Sequence, residues 1–345
     1  MKKRSGYAKL LSMVGSLVLV AALTAGCGSS SSNNQSEASA DQGKDGAQTG
    51  QVQEIKVGYV NLIAAAPAIV AKEKKLLDKQ GLKAEFFSFK NGPDLYKALS
   101  SGKLDIAYAG MPAAVNWGSR GAEFTIIAKV DQGKNGLFTK ETSGITQVAD
   151  LKGKKLGNLV KGSGVDYLIR AVLLPEGQLN DQSVTLVQME TPNMETAITN
   201  GTIDAAVAGE PFLTFAELRG LKVVQELPDP AFVVLGSNAF LKEQPEAVKK
   251  FIQGHIASID DLNHNVNENA EALAKAFNVP EIKGTDKTYT PTEVITQALK
   301  RNKFEYKFSD EDLKYYQEVA DNSLTIKSIE KQLDVSTIID TTWVK

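Results

Sequence analysis

Residues 95–112 and 194–211 can be laid over each other without a gap. They share Ala98/Ala197, Gly102/Gly201, Asp105/Asp204, Ala107/Ala206, Ala109/Ala208, Gly110/Gly209 and Pro112/Pro211, with Leu99/Ile198 and Leu104/Ile203 as conservative pairs. Each copy has the same physical grammar. Apolar positions three to four apart predict a helix that stops at a glycine, suited to the left-handed position after a helix end. A short apolar run then predicts a buried strand, over residues 106–109 and again over 205–208. Ala-Gly-x-Pro closes both copies, a tight turn that lets the backbone approach something closely. Helix alternating with buried strand predicts an open α/β sheet, and in such sheets ligands bind beyond the carboxyl ends of the strands. Two copies predict two units whose turns face a shared cleft. Convergence of two αβ units on common turn chemistry is the alternative.

The rest of the chain fits that pattern. Its 345 residues correspond to about two domains, and 42% hydrophobic with 23% charged residues suffices for a real core. Strands are predicted over 55–60, 82–89, 124–130, 155–159, 184–189 and 232–237, and helices over 66–79 and 163–174. A second α/β set begins around Asp150. After residue 237 the chain turns helical, over 244–277, 291–302 and 309–322, with a loop at 280–289. The formal net charge of −2 excludes a nucleic-acid binder that needs a basic face.

The single cysteine, Cys27, excludes an internal disulfide and a multi-cysteine zinc site. Its position suggests another use. Lys2, Lys3, Arg4 and Lys9 precede an uncharged stretch from residue 10 to residue 26, which reads as a secretory leader, too short for a stable bilayer span. The stretch ends in Leu23-Thr24-Ala25-Gly26-Cys27, which resembles a bacterial lipobox whose cysteine is lipidated and becomes the first residue of the mature chain. The leucine lies one place further from the cysteine than in the commonest form. Residues 1–26 are therefore expected to be a lipoprotein signal peptide, and 27–53 a lipidated cysteine with a flexible tether poor in apolar residues. Cleavage takes the net charge to about −6. The expected object is an acidic globule held by lipid at the extracytoplasmic face of a membrane.

Catalytic raw material is scarce. The only histidines, His255 and His264, lie in a polar helical stretch and are expected to be solvated surface residues. Lys161-Gly162-Ser163-Gly164 lacks the spacing and trailing residues of a phosphate-binding loop. It does offer a glycine-rich turn into a helix, where backbone N–H groups favour an anionic oxygen. Asp105 and Asp204 read as strand-entry residues rather than a catalytic pair. No nucleophile, base and orienting group assemble, and no cofactor or metal is expected.

Taken together, the chain resembles the solute-binding proteins of ABC importers, the group that includes the nitrate, aliphatic-sulfonate and taurine receptors. The carriers are Lys56-Val57-Gly58-Tyr59, Pro67-Ala-Ile-Val-Ala-Lys-Glu-Lys, the Ala98-Leu-Ser-Ser-Gly-Lys-Leu-Asp105 unit, Val148-Ala-Asp-Leu-Lys-Gly-Lys-Lys155, Lys161-Gly-Ser, Gly209-Glu-Pro-Phe212 and Phe240-Leu-Lys-Glu-Gln-Pro-Glu-Ala-Val-Lys249. They span about residues 54–280.

The resemblance implies an α/β, two-lobed, type II periplasmic-binding-protein-like fold. Lobe 1 is expected over 54–138 plus 238–345 and lobe 2 over 139–237, with crossovers near 136–140 and 232–237. Asn61, Leu62, Gly110, Met111, Ser163, Gly164, Val165, Asn193, Met194 and Glu210 fall where the family contacts solute. The implied partners are a small solute, an ABC permease and its ATPase. Glu210, if it points into the cleft, would favour a solute with an ammonium group; facing a hinge or a helix N-terminus, it would not. The implied solute is a small sulfonate, nitrate or taurine-like molecule, with an amine or a thiamine-pyrimidine-like compound as alternatives. An enzyme on the same fold and an adhesive surface lipoprotein are the competing classes. The resemblance implies cysteine or histidine chemistry for its enzyme members, and the expected folded part has no cysteine.

Overall fold

Lys56 and Lys155, ninety-nine residues apart, begin the same local structure twice. In the computed structural model, which describes residues 53–345, Lys56 sits in strand β1 (Gln53–Val60). Strand β2 (Leu82–Phe89) follows the short helix α1 (Ala66–Glu73), and strand β3 (Ile106–Gly110) follows helix α2 (Gly92–Ser100). Lys155 opens strand β6 (Lys155–Asn158) of the second set. Asp105 Oδ2 accepts the Lys56 N–H at 2.7 Å, and Asp204 Oδ2 accepts the Lys155 N–H at 2.7 Å. The two aspartates stitch the repeat's strands together, the role expected of them. Gly58 and Gly157 match as well. A Cβ on Gly58 would lie 2.4 Å from Leu104 Cδ1, and one on Gly157 would lie 2.7 Å from Ile203 Cδ1. The absent side chains admit Leu104 and Ile203, matched positions of the repeat. The leader, Cys27 and nearly all of the tether lie outside the described residues.

The first sheet has the order β2-β1-β3-β10-β4. Strand β4 (Phe124–Asp131) follows helix α3 (Met111–Gly118), and β10 (Phe232–Ser237) returns from far along the chain to lie antiparallel between β3 and β4. The second sheet repeats this plan as β7-β6-β8-β5-β9. Here β5 (Lys134–Lys140) is the antiparallel insert, between β8 (Ala205–Ala208) and β9 (Leu221–Pro228). Strand β7 (Thr185–Gln188) forms the edge. Helix α4 (Gly164–Tyr167) runs through a wide π turn (Leu168–Leu173) into α5 (Leu174–Glu176); α6 (Thr191–Thr199) and α7 (Phe212–Leu218) complete the set. One sheet has lent a strand to the other, and each has received one back.

The chain therefore crosses between sheets at Asp131–Lys134 and returns between Pro228 and Phe232. The segments 136–140 and 232–237, expected to be crossovers, are strands inside the sheets. Within the first of them, a Cβ on Gly136 would lie 2.7 Å from Leu213 Cδ1, so the glycine serves a packing contact with α7. The helix expected over 66–79 stops at Glu73, and Lys75 takes a left-handed φ of 51°.

The C-terminal third packs back onto the first sheet. After α8 (Asn238–Glu243), the expected helix over 244–277 divides at Asn265 into α9 (Pro245–His264) and α10 (Val266–Ala276). The short hairpin β11 (Ile282–Lys283) and β12 (Thr288–Tyr289) precedes α11 (Pro291–Leu299) and α12 (Asp310–Thr325). Helix α9 packs on α1, α12 on α3, and α11 on both α10 and α7. A separate apolar cluster of Phe138, Met194, Ile198, Ile203 and Leu213 forms a core under the second sheet.

His255, expected at the surface, is fully buried in the first core. Its Nε2 lies 2.9 Å from the Lys129 carbonyl and its Nδ1 3.1 Å from the Tyr108 hydroxyl. A carbonyl can only accept, so Nε2 carries the proton and Nδ1 accepts from Tyr108. His264 is exposed, as expected.

Candidate functional site

The loops that follow the parallel strands of both sheets converge on one cleft. Val60 ends β1 and Leu62 follows it, Lys90 and Asn91 follow β2, Leu159 follows β6, and Thr191 begins α6 after β7; all line an inner chamber of about 60 Å³. Leu62, Lys90, Asn91, Leu159 and Thr191 are shared with an outer cavity of about 550 Å³, so the two adjoin. Local chemistry fixes these loops. Asn91 caps α2 by accepting the Asp94 N–H at 2.9 Å, and Ser163 caps α4 by accepting the Asp166 N–H at 3.2 Å. At the crossovers the chamber is lined by Asp229 and Pro230, with Asn135 from the start of β5 and Phe232 from the start of β10.

Gly110, Ser163, Gly164 and Val165 line the inner chamber, Asn61 lines the outer cavity, and Leu62 lines both. Four residues named with them lie elsewhere. Met111 is fully buried, and its N–H donates to the Ala231 carbonyl at 2.9 Å. Met194 is fully buried in the second core. Asn193 is exposed and lines neither cavity.

Glu210 is 3% exposed and engaged away from the cleft. Its Oε1 accepts from Arg301 at 3.0 Å, and its Oε2 accepts the Thr214 N–H at 3.2 Å in the first turn of α7. Burial lifts its pKa, with Thr214 and Arg301 pulling the other way. Facing a helix N-terminus, Glu210 gives no ground for choosing an ammonium-bearing solute.

The cleft residues not anticipated are Lys90, Asn91, Thr191, Asn135, Asp229 and Phe232. A signal for two of the loops was present, because the repeat extends back through Pro93/Pro192 at the same spacing. That extension aligns Asn91 with Glu190 and Gly92 with Thr191, one helix start in each sheet. Lys90 Nζ and Glu190 Oε1 meet at 2.7 Å across the cleft mouth, with both side chains more than half exposed.

Asp229 is the chemically unusual member. It is 9% exposed, and its Oδ2 accepts from Asn135 Nδ2 at 2.7 Å. Burial pushes its pKa up to about 6, only partly offset by Asn135 and the backbone at Ala231. Across the other crossover, Asp131 is fully buried, with Oδ1 accepting the Lys303 N–H at 2.9 Å and Oδ2 accepting from Asn302 at 2.8 Å. Burial, and then the charge of Asp229, hold its pKa well above the usual carboxylate range. Such an arrangement can enclose and orient a small polar molecule. Among the described residues, no helix is long and apolar enough to cross a membrane.

A profile of the NMT1-like family matches residues 48–278. A protein of Bacillus subtilis (strain 168), named as an aliphatic sulfonates-binding protein, is 28% identical over 342 residues, covering 95% of this chain and 94% of that one. Among solved structures, the alkanesulfonate-binding protein SsuA from Xanthomonas axonopodis pv. citri, bound to MOPS, superposes with a TM-score of 0.72 at 20% identity, over 85% of this chain and 99% of that chain. The periplasmic nitrate-binding protein NrtA from Synechocystis PCC 6803 superposes at 0.67 with 17% identity, over 85% and 87%. At these identities the superpositions show a shared two-sheet, type II periplasmic-binding-protein fold.

Proposed function

The chain belongs to the NMT1-like family, and from that membership we propose that it is the extracytoplasmic solute-binding component of an ABC importer. It captures a small solute between two lobes and delivers it, chemically unaltered, to a permease driven by an ATPase. One observation carries the reading. Adjoining cavities are walled by strand-end loops of both sheets, while among the described residues two short segments join those sheets. That is the geometry of hinge closure around a ligand. On this reading lobe 2 is residues 134–228, lobe 1 is the remainder of the described chain, and the hinge is the crossover pair. The sulfonate and nitrate specificities of the relatives set the starting solute class. Membrane attachment through lipid on Cys27, after removal of residues 1–26, is supported by the lipobox-like sequence.

The test is a thermal-shift screen of the purified full chain against alkanesulfonates, aminosulfonates, nitrate, pyrimidine thiamine precursors and simple amines. A true solute at a hundred times its dissociation constant stabilises by about 2.7 kcal/mol. If none raises the melting temperature, the importer reading fails. In the same preparation the protein should fractionate with membranes, and Cys27→Ser should release it; retention of that variant would remove the lipid anchor.

A further inference from the structure

We propose that a cavity lined by Arg120, Lys161, Lys327 and Lys331 is a second binding site, for a small anion of several negative charges that bridges the two sheet units. The inference goes beyond the solute-binding reading and does not depend on it.

This cavity, of about 580 Å³, lies where the C-terminal end of α3, the turn after β6 and the loop after α12 meet. Of the described residues that line it, Pro93 alone also lines the outer cavity, and none lines the inner chamber. Its size is that of a small-molecule site, roughly 300–1,000 Å³. Both sheet units wall it. Helices α3 and α12 pack on each other, and Asn116 Nδ2 donates to the Ser328 carbonyl at 2.8 Å. Gly162, from the turn after β6, faces the same amide: a Cβ there would lie 3.7 Å from Asn116 Nδ2.

Charge sets this cavity apart. Four cationic side chains line it against one carboxylate, Glu330, in a chain whose formal net charge is −2. Among the described residues none of the four is ion-paired. By contrast, Lys129 and Arg170 each hold two carboxylates and Arg301 holds three. Helix ends account for part of the cluster. Arg120 follows α3, and Lys327 and Lys331 follow α12, where the negative end of a helix favours a cation. Lys161 has no such reason, because it lies just ahead of α4, at the positive end. Lys327 is unusual in another way, with a left-handed φ of 55° at a position after a helix end where glycine is usual. The two lysines most at odds with their local setting come from opposite units and line the same space.

Like charges around one concavity repel, and an entering anion relieves each repulsion. A singly charged anion leaves most of this charge uncompensated. A diphosphate or a polycarboxylate carries several charges, and Arg and Lys are the side chains that recognise phosphate and carboxylate oxygens. Because Lys161 stands on one unit and the other three cations on the other, the occupant ties the units together.

Calorimetric titration of the full chain with pyrophosphate and with citrate, at low and at high salt, tests this, with acetate as the singly charged control. Saturable binding of both polyanions at one site is expected, weakened by salt, with no matching binding of acetate. Lys161→Ala and Lys327→Gly should each weaken it about threefold, the measure of one exposed charge contact. The double variant should weaken it about tenfold. Glycine suits the left-handed backbone at 327, so that variant keeps its fold. Should Lys161→Ala not fold, Lys161→Gln takes its place. Absence of polyanion binding overturns the inference, and so does acetate binding as tightly as citrate. Binding that neither substitution weakens lies elsewhere and overturns it as well. An effect of Lys327→Gly without one of the Lys161 substitution confines the anion to one unit and removes the bridge. A heptaglutamate peptide bound more tightly than pyrophosphate would make this face a docking surface for an acidic protein instead. The solute screen is run without these anions, so its result stands apart from all of these.

Discussion

His255 stands with its ring parallel to Phe251, the centroids 6.3 Å apart, and edge-on to Tyr108. Burial lowers its pKa to about 4, with the Lys129 carbonyl opposing. A base whose folded pKa is depressed stabilises the fold in full above its unfolded pKa, about 6.5, and loses that contribution as pH falls towards 4. In that window the unfolded chain holds a proton that the native one refuses. The loss is about 3 kcal/mol. Asp229 acts in the opposite sense, because its raised pKa keeps a native proton up to about pH 6 and makes stability fall as pH rises from about 4. Comparison with His255→Gln isolates the histidine. Urea unfolding from pH 4 to 7 should show the wild type gaining stability relative to the variant as pH rises, and a constant difference would exclude the assignment. The burial was legible in part. His255 shares a helical face with Phe251, Ile252, Ser258, Ile259 and Leu262, all buried, but its polarity and the surrounding Asp, Asn and Ser argued for solvent. Asp229, between Pro228 and Pro230, reads as a surface turn. Nothing local shows that a crossover from the other lobe covers it.

Between α11 and α12 the chain wraps the first crossover, and Arg301 carries the contact to the second sheet. Its guanidinium donates to Glu210 at 3.0 Å, to Glu217 at 2.7 Å, to Glu226 at 2.9 Å and to Thr214 at 3.2 Å. All four belong to α7, β9 or the turn after β8. Next to it, Asn302 and Lys303 bind Asp131. These contacts are unequal. The carboxylates of Glu217 and Glu226 are 44% and 37% exposed, so their pairing is worth about 1 kcal/mol or less. Glu210 is nearly dry, and removing its partner leaves a buried charge, at a cost of about 3–5 kcal/mol. Arg301→Leu should therefore lower unfolding stability by that amount. Adding Glu210→Gln should recover most of the loss, while adding Glu217→Gln should recover little. Equal recovery from either would mean the carboxylates share the load. The sequence displayed Glu210 clearly, matched to Met111 in the repeat, but its partner lies ninety-one residues away and only the fold brings them together. The repeated helix-strand-turn units were legible because their grammar is local. Strands β5 and β9 were not, since β5 owes its place to pairing with β8 and β9, and β9 to pairing with β5.

At the scale of the whole molecule, the contacts between lobes differ in strength according to where they lie. The Arg301 network sits at the crossovers, where hinge rotation displaces atoms least. Opposite it, the cleft mouth is closed by Lys90 and Glu190, whose side chains are 74% and 54% exposed. Such a pair contributes roughly 0–1 kcal/mol and is screened by salt. The molecule is thus firmly held at its hinge and weakly held at its mouth, the combination that lets a solute shift a population of open and closed forms at small cost. Lys90→Glu should replace a weak attraction with a weak repulsion and widen the mouth. Small-angle scattering of the solute-free variant should then give a larger radius of gyration than the wild type, reduced by high salt and by saturating solute. Because Lys90 also lines the cavity, its loss would weaken binding even without opening. The reversed pair, Lys90→Glu with Glu190→Lys, separates the two effects, since it restores the attraction without restoring the lysine on its original lobe. Compaction should return in the double variant. If scattering from Lys90→Glu matches the wild type at low salt, the mouth pair does not set the interlobe angle, and closure must be governed by the hinge contacts alone.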